Sequence, residues 1–395
     1  MIKILFCLQT MVCGGVEKEL ITILKRFDRS IYNLSLLLLY EQDIEMKKLI
    51  PEDVKIVNLN IDKQYYCEGL LGTVKSRVKR GEIAKAAKLI FGKILKNGAT
   101  PAIIKLDDIP QISEEFDYAV CYHMHSPIVL RYVADSVNAR YKIAWIHNDF
   151  LTTGYRIDKY DNWLKKYNVF IAVSNQLKEE FQIRCPQYSN IITVVHNIVD
   201  AVEIKKKAVN FSGVERNFLN DRNIKIVTVG RFVEQKGFDI AIRACKELVE
   251  QRIPITWYAI GYGKDEMYLK KLIVQEKIEN NFVILGRKEN PYPYMAKADF
   301  YVQPSRHEGF VITIAEAKVL HKAIVCTDFA GAREQIENGI NGIILSESTA
   351  ECLSCELKKL INNPALVERF TKKLEDCQND NEWNKIENVF RRGGL

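Results

Sequence analysis

Short apolar strands that end in a glycine or polar loop, each followed by a helical pattern, recur along this 395-residue chain. The first such unit is a strand at Ile2–Cys7, a loop that ends in Gly14 and Gly15, and a helical pattern over 16–24. The second half repeats the alternation from a strand at Ile224–Val229 onward. This order is typical of parallel sheets with helices on both faces. The sequence therefore predicts an α/β fold with two doubly wound parallel sheets and a cleft between them.

The length also favours two domains, because domains of roughly 150–200 residues are common. A charged stretch over 201–222, which contains Lys205–Lys207, interrupts the alternation and is interpreted as an irregular linker. We expect an N-terminal domain over 1–200 and a C-terminal domain over 223–378, followed by an amphipathic helix within 379–395.

Polar loops follow the predicted strands of the first half. Four of these strands end in polar residues, namely His123 and His125, His147 and Asn148, Ser174 to Gln176, and His196 and Asn197. Because the carboxyl ends of parallel strands meet at one edge of a sheet, these residues are expected to line one face of the cleft. For any one histidine, a hydrogen-bonded structural role is the commoner alternative. No carboxylate or Cys stands at a supporting distance from the His-x-His pair, so we expect no metal site there.

The stretch Pro304–Ala317 places two carboxylates, Glu308 and Glu316, eight positions apart between a short strand and a helical pattern. Eight helical residues rise roughly 12 Å, which is too far for two carboxylates to share a proton or to flank one glycosidic bond. The spacing fits a ligand with two polar ends and a phosphate against the helix N-terminus, such as a nucleotide diphosphate sugar. A solvated helix face is the structural alternative.

Most of the net charge of +7 is concentrated in the segment 75–96, which has eight basic residues and one acid. Apolar residues in 83–94 are spaced for one helical face. A basic amphipathic helix of this kind binds an anionic membrane surface, or it is a surface helix with a solvated lysine face. The segment lacks interleaved aromatic residues and base-reading motifs, so nucleic-acid binding is not expected.

The chain has no run of about 20 apolar residues, and its N-terminus lacks the cleavage pattern of a signal peptide. Cys121, Cys245 and Cys326 fall in apolar runs, where reduced core thiols are expected. These features predict a cytoplasmic protein, peripheral at the membrane if the basic segment binds lipid.

Five stretches in the second half carry a specific resemblance. They are VGRFVEQKGFD (Val229–Asp239), IGYGKDE (Ile260–Glu266), ILGRKE (Ile284–Glu289), PSRHEGFVITIAEA (Pro304–Ala317) and DFAGAREQIENGINGIIL (Asp328–Leu345). In this order they resemble the donor domain of retaining glycosyltransferases of family 4, of the type that builds bacterial capsule and other surface polysaccharides. The resemblance implies the GT-B fold, in which two Rossmann-like domains face each other across a cleft.

The resemblance also implies roles for residues of the second half. Arg231 and Lys236 would hold the donor diphosphate, Glu316 would accept hydrogen bonds from the ribose, and Glu308 would lie beside the donor sugar as a catalytic group. The distal phosphate would be capped by backbone N–H groups of Gly309, Phe310, Val311, Ile312 and Thr313. The family often has Gly where this chain has Val311, and a β-branched residue there is expected to restrict the loop.

In the first half the similarity is looser. Gly14 and Gly15 would let the backbone approach the donor phosphate, and His125 would contact the donor sugar or relay a proton. His147 and Asn148 are candidates for the acceptor side. Such enzymes need no metal, and the chain has no Asp-x-Asp motif beside a strand end.

The resemblance implies transfer of a hexose-type sugar, with retention, from a nucleotide diphosphate sugar to a lipid-linked or polysaccharide hydroxyl. A UDP-sugar is the expected donor, and no cofactor is expected. Two alternatives stay open, a non-catalytic nucleotide-sugar-binding partner subunit and a GT-B-like nucleotide-sugar epimerase. The C-terminal helix is expected to return to the first domain, as in the family.

Overall fold

The computed structural model describes residues 1–11, 14–40, 44–59, 83, 111–150, 155–374 and 380–391. The predicted basic helix of the segment 75–96 lies outside these ranges, apart from the exposed helical residue Ile83. Its amphipathic character therefore stays a prediction.

Thirteen strands alternate with helices along the described chain. The strands are β1 (Ile2–Leu8), β2 (Tyr32–Leu38), β3 (Lys55–Asn58), β4 (Phe116–Cys121), β5 (Ala139–Ile146), β6 (Val169–Ala172), β7 (Ile192–Val194), β8 (Ile224–Val229), β9 (Ile255–Ile260), β10 (Phe282–Gly286), β11 (Phe300–Gln303), β12 (Ala323–Cys326) and β13 (Ile343–Ile344). The α-helices are α1 (Gly15–Arg26), α2 (Ile44–Lys47), α3 (Pro127–Ser136), α4 (Asp161–Leu164), α5 (Asn175–Arg184), α6 (Ala201–Ala208), α7 (Arg216–Asn220), α8 (Phe238–Glu250), α9 (Glu266–Glu276), α10 (Tyr292–Lys297), α11 (Ile312–Val319), α12 (Ala332–Gln335), α13 (Ala350–Ile361), α14 (Pro364–Lys372) and α15 (Asp380–Arg391). Short 3₁₀ turns lie at Ile157–Tyr160, Pro186–Ile191 and Glu234–Lys236.

The strands form two sheets. The first has seven strands in the order β3-β2-β1-β4-β5-β6-β7, and the second has six in the order β10-β9-β8-β11-β12-β13. Every pairing from β3 through β5, and every pairing in the second sheet, is parallel. The two doubly wound parallel sheets that the alternation predicts are therefore confirmed.

Each sheet reverses its strand order at one point, between β1 and β4 in the first sheet and between β8 and β11 in the second. Loops that leave the two central strands at such a point diverge to opposite sides, and the crevice between them is where open α/β sheets bind ligands. Ligand-binding residues are therefore expected in the loops that follow these four strands.

The second sheet is covered on both faces, and its strand side chains alternate between two apolar clusters. In β11, Phe300 and Val302 belong to one cluster and Tyr301 to the other, and all three are at most 4% exposed. This alternation follows from the period of two along a strand. β11 is therefore buried along its whole length, up to the residue from which the next loop starts.

The interpretation of 201–222 as irregular is wrong, because this stretch contains α6 and α7. The side chain of Asp200 caps α6 by accepting a hydrogen bond from the N–H of Glu203 at 2.8 Å. Ile204 is buried against Ile312 of α11 and Val319. The lysine run lies in the last turn of α6, where the helix dipole favours positive charge.

Two compact units can be separated in the chain. One holds the described residues of Met1–Ile146 and Arg156–Ile171, and the other holds those of His147–Tyr155 and Ala172–Arg391. The domain boundaries expected at residues 200 and 223, and the return of the C-terminal helix to the first domain, stay predictions. The C-terminal amphipathic helix itself is observed as α15.

The expected core thiols are buried and free. Burial raises the pKa of Cys121 and of Cys245 to about 12, so both stay protonated at neutral pH. The chain also has one C-x-x-C pair, Cys352 and Cys355 on α13, of which Cys355 is exposed. None of the helices in the described part combines the length and apolar content that crossing a membrane requires.

Candidate functional site

The two loops at the switch point of the second sheet bring a lysine and a glutamate together. The loop after β8 carries Lys236, the loop after β11 carries Glu308, and Lys236 Nζ lies 2.5 Å from Glu308 Oε1. The two side chains are only 16% and 10% exposed. An ion pair this deeply buried is screened little by solvent and salt.

Gly237 sets the approach of these two loops. Its φ is +65°, a left-handed conformation that glycine adopts without strain. A Cβ atom at this position would lie 1.9 Å from the carbonyl oxygen of Pro304. Only glycine therefore allows the backbone next to Lys236 to lie against the loop that carries Glu308.

A chain of buried polar side chains holds the Glu308 carboxylate. Ser305 Oγ donates to Glu308 Oε1 at 2.7 Å, and Gln303 Nε2 donates to Ser305 Oγ at 2.8 Å. Gln303 in turn accepts from the hydroxyls of Tyr301 at 2.7 Å and Thr313 at 3.0 Å. The orientation of Glu308 is thus fixed from β11 itself, a role that the sequence did not reveal for Gln303 and Ser305.

Arg306 ties the same two loops together on the other side. Its guanidinium makes paired hydrogen bonds to Asp239 at 2.8 and 2.7 Å, and its backbone N–H donates to the carbonyl of Gln235 at 2.8 Å. Partial burial opposes ionisation of Asp239, but the Arg306 hydrogen bonds outweigh it and lower the pKa of that carboxyl. A planar fork of this kind fixes direction as well as distance.

Arg231, the other expected phosphate ligand, lies at the start of the loop after β8 and is exposed. Within the described part of the chain its guanidinium has no hydrogen-bond partner, whereas Lys236 is paired with Glu308. Arg231 is therefore accessible to an anion from solvent.

Glu316 lies in the second turn of α11 and is 2% exposed. The hydroxyl of Tyr292 donates to Glu316 Oε1 at 2.9 Å. Burial, together with the Glu316 charge, raises the pKa of Tyr292 far above its usual range, so the phenol keeps its proton. Because α11 begins only at Ile312, the helical spacing assumed between Glu308 and Glu316 does not apply. Glu308 belongs to the preceding turn.

The residues expected to cap a phosphate form this turn and the start of α11. Val311 has φ −89° and ψ 111°, an extended conformation that suits a β-branched side chain, so the expected restriction of the loop costs no strain. The side chain of Gln335 accepts from the N–H of Val311 at 3.1 Å and donates to its carbonyl at 2.8 Å. The Val311 N–H is therefore engaged, whereas Ile312 and Thr313 begin the helix, where N–H groups have no intrahelical partner.

Gly309 is packed against the backbone of the loop after β5. A Cβ atom on Gly309 would lie 2.1 Å from the carbonyl oxygen of His147. His147 is 5% exposed and Asn148 is half-buried. The structure therefore brings His147, a candidate for the acceptor side, next to the residue that follows Glu308.

His196, one of the polar residues that follow the predicted strands of the first half, forms a cluster with Phe310 and two carboxylates that the sequence did not indicate. The imidazole stacks on the Phe310 ring with centroids 5.0 Å apart. Its Nε2 lies 2.8 Å from Glu334 Oε2 and its Nδ1 lies 3.4 Å from Glu382 Oε1. Burial alone would lower the pKa of His196, but the two carboxylates raise it to about 9.

In the other unit, the remaining candidates follow β1 and β4 at the switch point of the first sheet. Gly14 precedes the first turn of α1, which begins at Gly15. His125 is half-buried in the turn after β4, and the next residue, Ser126, donates to Gln9 Oε1 at 2.9 Å. These residues lie where the sequence places them, at the carboxyl ends of neighbouring strands.

Residues 214–376 match the family model described as Glycosyl transferases group 1. An uncharacterized glycosyltransferase of Methanocaldococcus jannaschii is 29% identical over 196 residues, which are 48% of this chain and 54% of that protein. The capsular polysaccharide biosynthesis glycosyltransferase CapM of Staphylococcus aureus is 25% identical over 230 residues, 56% of this chain and 60% of that protein. The chain thus spans about half the length of the curated relatives it matches. These matches confirm the resemblance that the five stretches indicate.

The fold is shared over nearly the whole chain. The crystal structure of Anabaena HepE in complex with UDP and glucose superposes with a TM-score of 0.72, at 17% identity, over 99% of this chain and 100% of that one. The protein therefore has the GT-B fold with two Rossmann-like sheets, as the sequence predicts.

Proposed function

We propose that this protein is a retaining glycosyltransferase that moves a hexose-type sugar from a nucleotide diphosphate sugar to a lipid-linked or polysaccharide hydroxyl. The observation that carries the proposal is the Lys236–Glu308 pair beside the N-terminus of α11, at the switch point of the sheet that matches the family model. This arrangement combines a cation, a carboxylate and free helix N–H groups, which suits a sugar joined to a diphosphate.

The charged side chains have separate roles in the proposed reaction. Lys236 and Arg231 bind the diphosphate, and Lys236 exchanges its present contact with Glu308 for a phosphate oxygen. Glu308 then faces the donor sugar, where a fixed carboxylate favours the positive charge that develops at the anomeric carbon. The bond from that carbon to the diphosphate oxygen breaks, a bond to the acceptor oxygen forms on the same face, and the leaving phosphate takes the acceptor proton.

The remaining residues position the donor. Glu316 accepts from the ribose hydroxyls, and the turn from Gly309 to Thr313 presents its N–H groups to the distal phosphate, except that of Val311, which donates to Gln335. In the other unit, Gly14 and Gly15 allow close backbone approach to that phosphate, and His125 contacts the donor sugar or relays a proton. His147 and Asn148 act on the acceptor side. Lys236, Arg231 and the α11 N-terminus neutralise the leaving diphosphate, so we propose that no metal is required.

Substrate and setting follow from the relatives. A UDP-sugar is the proposed donor because Anabaena HepE is crystallised with UDP and glucose. Bacterial surface glycan synthesis is the proposed setting because CapM is named for capsular polysaccharide biosynthesis. We propose a cytoplasmic location for this protein. The alternatives are a nucleotide-sugar-binding partner subunit, which would bind donor without turnover, and an epimerase, which would convert the donor without releasing nucleotide.

A donor screen tests the proposal. UDP-, GDP- and ADP-sugars are added to the wild type and to Glu316→Ala, and the melting temperature and nucleotide release are followed with and without EDTA. One donor should raise the melting temperature of the wild type and be hydrolysed in EDTA, and the variant should lose the gain. A folded wild type that binds no donor contradicts the proposal, and binding without nucleotide release favours an alternative.

We also propose that the segment 75–96 docks the protein on an anionic membrane surface. Its eight basic residues and its apolar spacing carry this proposal. Replacing Lys85, Lys88, Lys93 and Lys96 by Gln should abolish binding to phosphatidylglycerol vesicles and leave donor hydrolysis unchanged. Replacing Lys205 and Lys206, two exposed lysines of α6, by Gln is the control for a loss of positive charge elsewhere, to be compared with Lys93 and Lys96 replaced as a pair. Equal loss of vesicle binding in the control would contradict docking through this segment.

A further inference from the structure

His196 faces a carboxylate with each of its two ring nitrogens. Nε2 lies 2.8 Å from Glu334 Oε2 on α12, and Nδ1 lies 3.4 Å from Glu382 Oε1 on α15. A neutral imidazole has one N–H donor and one acceptor, and an acceptor facing a carboxylate is repelled. The doubly protonated ring satisfies both contacts, so two carboxylates facing the two ring nitrogens favour the imidazolium.

Both carboxylates are held in place by other elements. Asn175, at the start of α5, donates its backbone N–H to both oxygens of Glu334 at 2.9 Å and its side-chain amide to Oε2 at 2.6 Å. Glu382 Oε2 accepts from the backbone N–H of His196 at 2.8 Å, and Lys385 donates to Oε1 at 2.7 Å. Glu334 and Glu382 are the charged groups that act on the His196 ring in the described part of the chain.

The cluster ends on the turn that carries the candidate site. The His196 ring lies over the Phe310 ring with the two planes 20° apart, an arrangement in which a cation attracts the aromatic face. Asn197 donates to the Phe310 carbonyl at 3.0 Å, and Gln335, next to Glu334, clamps the Val311 backbone. The adjacent pairs His196–Asn197 and Glu334–Gln335 thus contact each other, and both also hold Phe310 and Val311. These two residues directly follow Glu308 and Gly309.

We propose that His196 is a positioning residue whose imidazolium, bridged to α15 through Glu382, holds the Phe310 turn in the conformation that binds the donor diphosphate. This inference rests on the proposed function and adds control of the same site by the C-terminal helix and by pH. When the ring loses a proton, one carboxylate contact becomes repulsive and the stacking weakens. Phe310 is then released, and the backbone N–H groups around it lose their alignment.

The test measures the Kd of UDP and of the donor found in the screen from pH 6.5 to pH 10. The wild type should bind with constant Kd at neutral pH and lose about tenfold in affinity as His196 deprotonates near pH 9. Glu382→Gln removes one of the two opposite charges, so the midpoint should fall by about one pH unit, and Kd at pH 6.5, where the ring is still protonated, should rise by less than the roughly tenfold alkaline loss. The matched control is Glu387→Gln, because Glu387 forms an ion pair with Arg391 on the same helix.

A purely structural role would change stability without moving this midpoint. Equal midpoints for the wild type and Glu382→Gln, or a Kd that does not depend on pH in the wild type, overturn this inference alone. If the wild type binds no nucleotide even at pH 6.5, both the proposed function and this inference are overturned. The nucleotide also titrates in this pH range. Because the wild type and the variants are measured with the same nucleotide, its titration affects all of them equally.

Discussion

Lys236 and Glu308 lie on loops that follow two neighbouring strands, and their side chains form a buried ion pair with 2.5 Å between Nζ and Oε1. The two residues are 72 positions apart in the sequence. Glu308 also accepts from Ser305 through the same oxygen. In the proposed mechanism Lys236 leaves this ion pair to bind the donor phosphate, and the Glu308 carboxylate then faces the donor sugar.

Removing only one member of this pair should destabilise the protein. Lys236→Met leaves the Glu308 charge buried without its partner, which costs about 3 kcal/mol of unfolding free energy. Adding Glu308→Gln should recover most of that loss and leave activity absent. Urea unfolding measures the stability of the single and the double variant. The control is Lys246→Met, which breaks an exposed ion pair with Glu250. Additive losses in the double variant would argue against a direct interaction.

Gly237 should be irreplaceable for a steric reason. Gly237→Ala combines a left-handed φ with a Cβ atom only 1.9 Å from the Pro304 carbonyl oxygen. Gly213 has a φ of +77°, but no neighbouring atom of the described chain lies within 4 Å of the position that its Cβ would take. Gly213→Ala therefore carries only the backbone strain of about 1 kcal/mol. Thermal unfolding should show a much larger loss for Gly237→Ala, and similar losses would mean that the close approach of the two loops is not required.

Glu316→Gln should weaken donor binding by about thirtyfold, the equivalent of about 2 kcal/mol for a hydrogen bond to a charged group. Because the proposed contact is to the ribose, away from the reacting carbon, KM should rise while kcat changes little. Tyr292→Phe, which removes the hydroxyl that donates to Glu316, is the matched control and should mainly reduce stability. If Glu316→Gln lowers kcat and leaves KM unchanged, Glu316 acts at the reacting centre and not on the ribose.

The His196 cluster should make stability depend on pH at both extremes. The pKa of His196 is raised to about 9, so its contribution is complete below the unfolded value of 6.5 and is lost as the pH rises through about 9. Burial opposes ionisation of Glu382, but hydrogen bonds from His196 and Lys385 lower its pKa to about 2. Its contribution is present above the unfolded value of 4.5 and is lost as the pH falls toward 2.

Urea unfolding of the wild type and of His196→Gln across pH 3 to pH 10 checks this expectation. The variant should lack the alkaline loss of stability because glutamine does not titrate. Parallel profiles for the two proteins would show that the alkaline loss has another origin.

The alternation of short apolar strands and helices predicts both sheets because it reflects local periodicity, and Glu308 and Glu316 could be singled out from one short stretch. The His196 cluster could not be predicted in this way. His196 lies 138 residues from Glu334 and 186 residues from Glu382, so no local pattern joins them. The error at 201–222 has a different cause. In α6 only Ile204 and Ala208 are buried, and two positions are too few to reveal a helix within a charged segment.

The proposed function requires that the Lys236–Glu308 pair serves sugar transfer from a nucleotide diphosphate donor. The decisive measurement is the rate of nucleotide release from the screened donor by the wild type, Lys236→Met and Glu308→Gln, with folding verified by unfolding curves. We predict release by the wild type and a loss of at least about a hundredfold in each variant, since each removes charge stabilisation at the reacting groups. Equal rates in all three proteins would contradict this role of the pair.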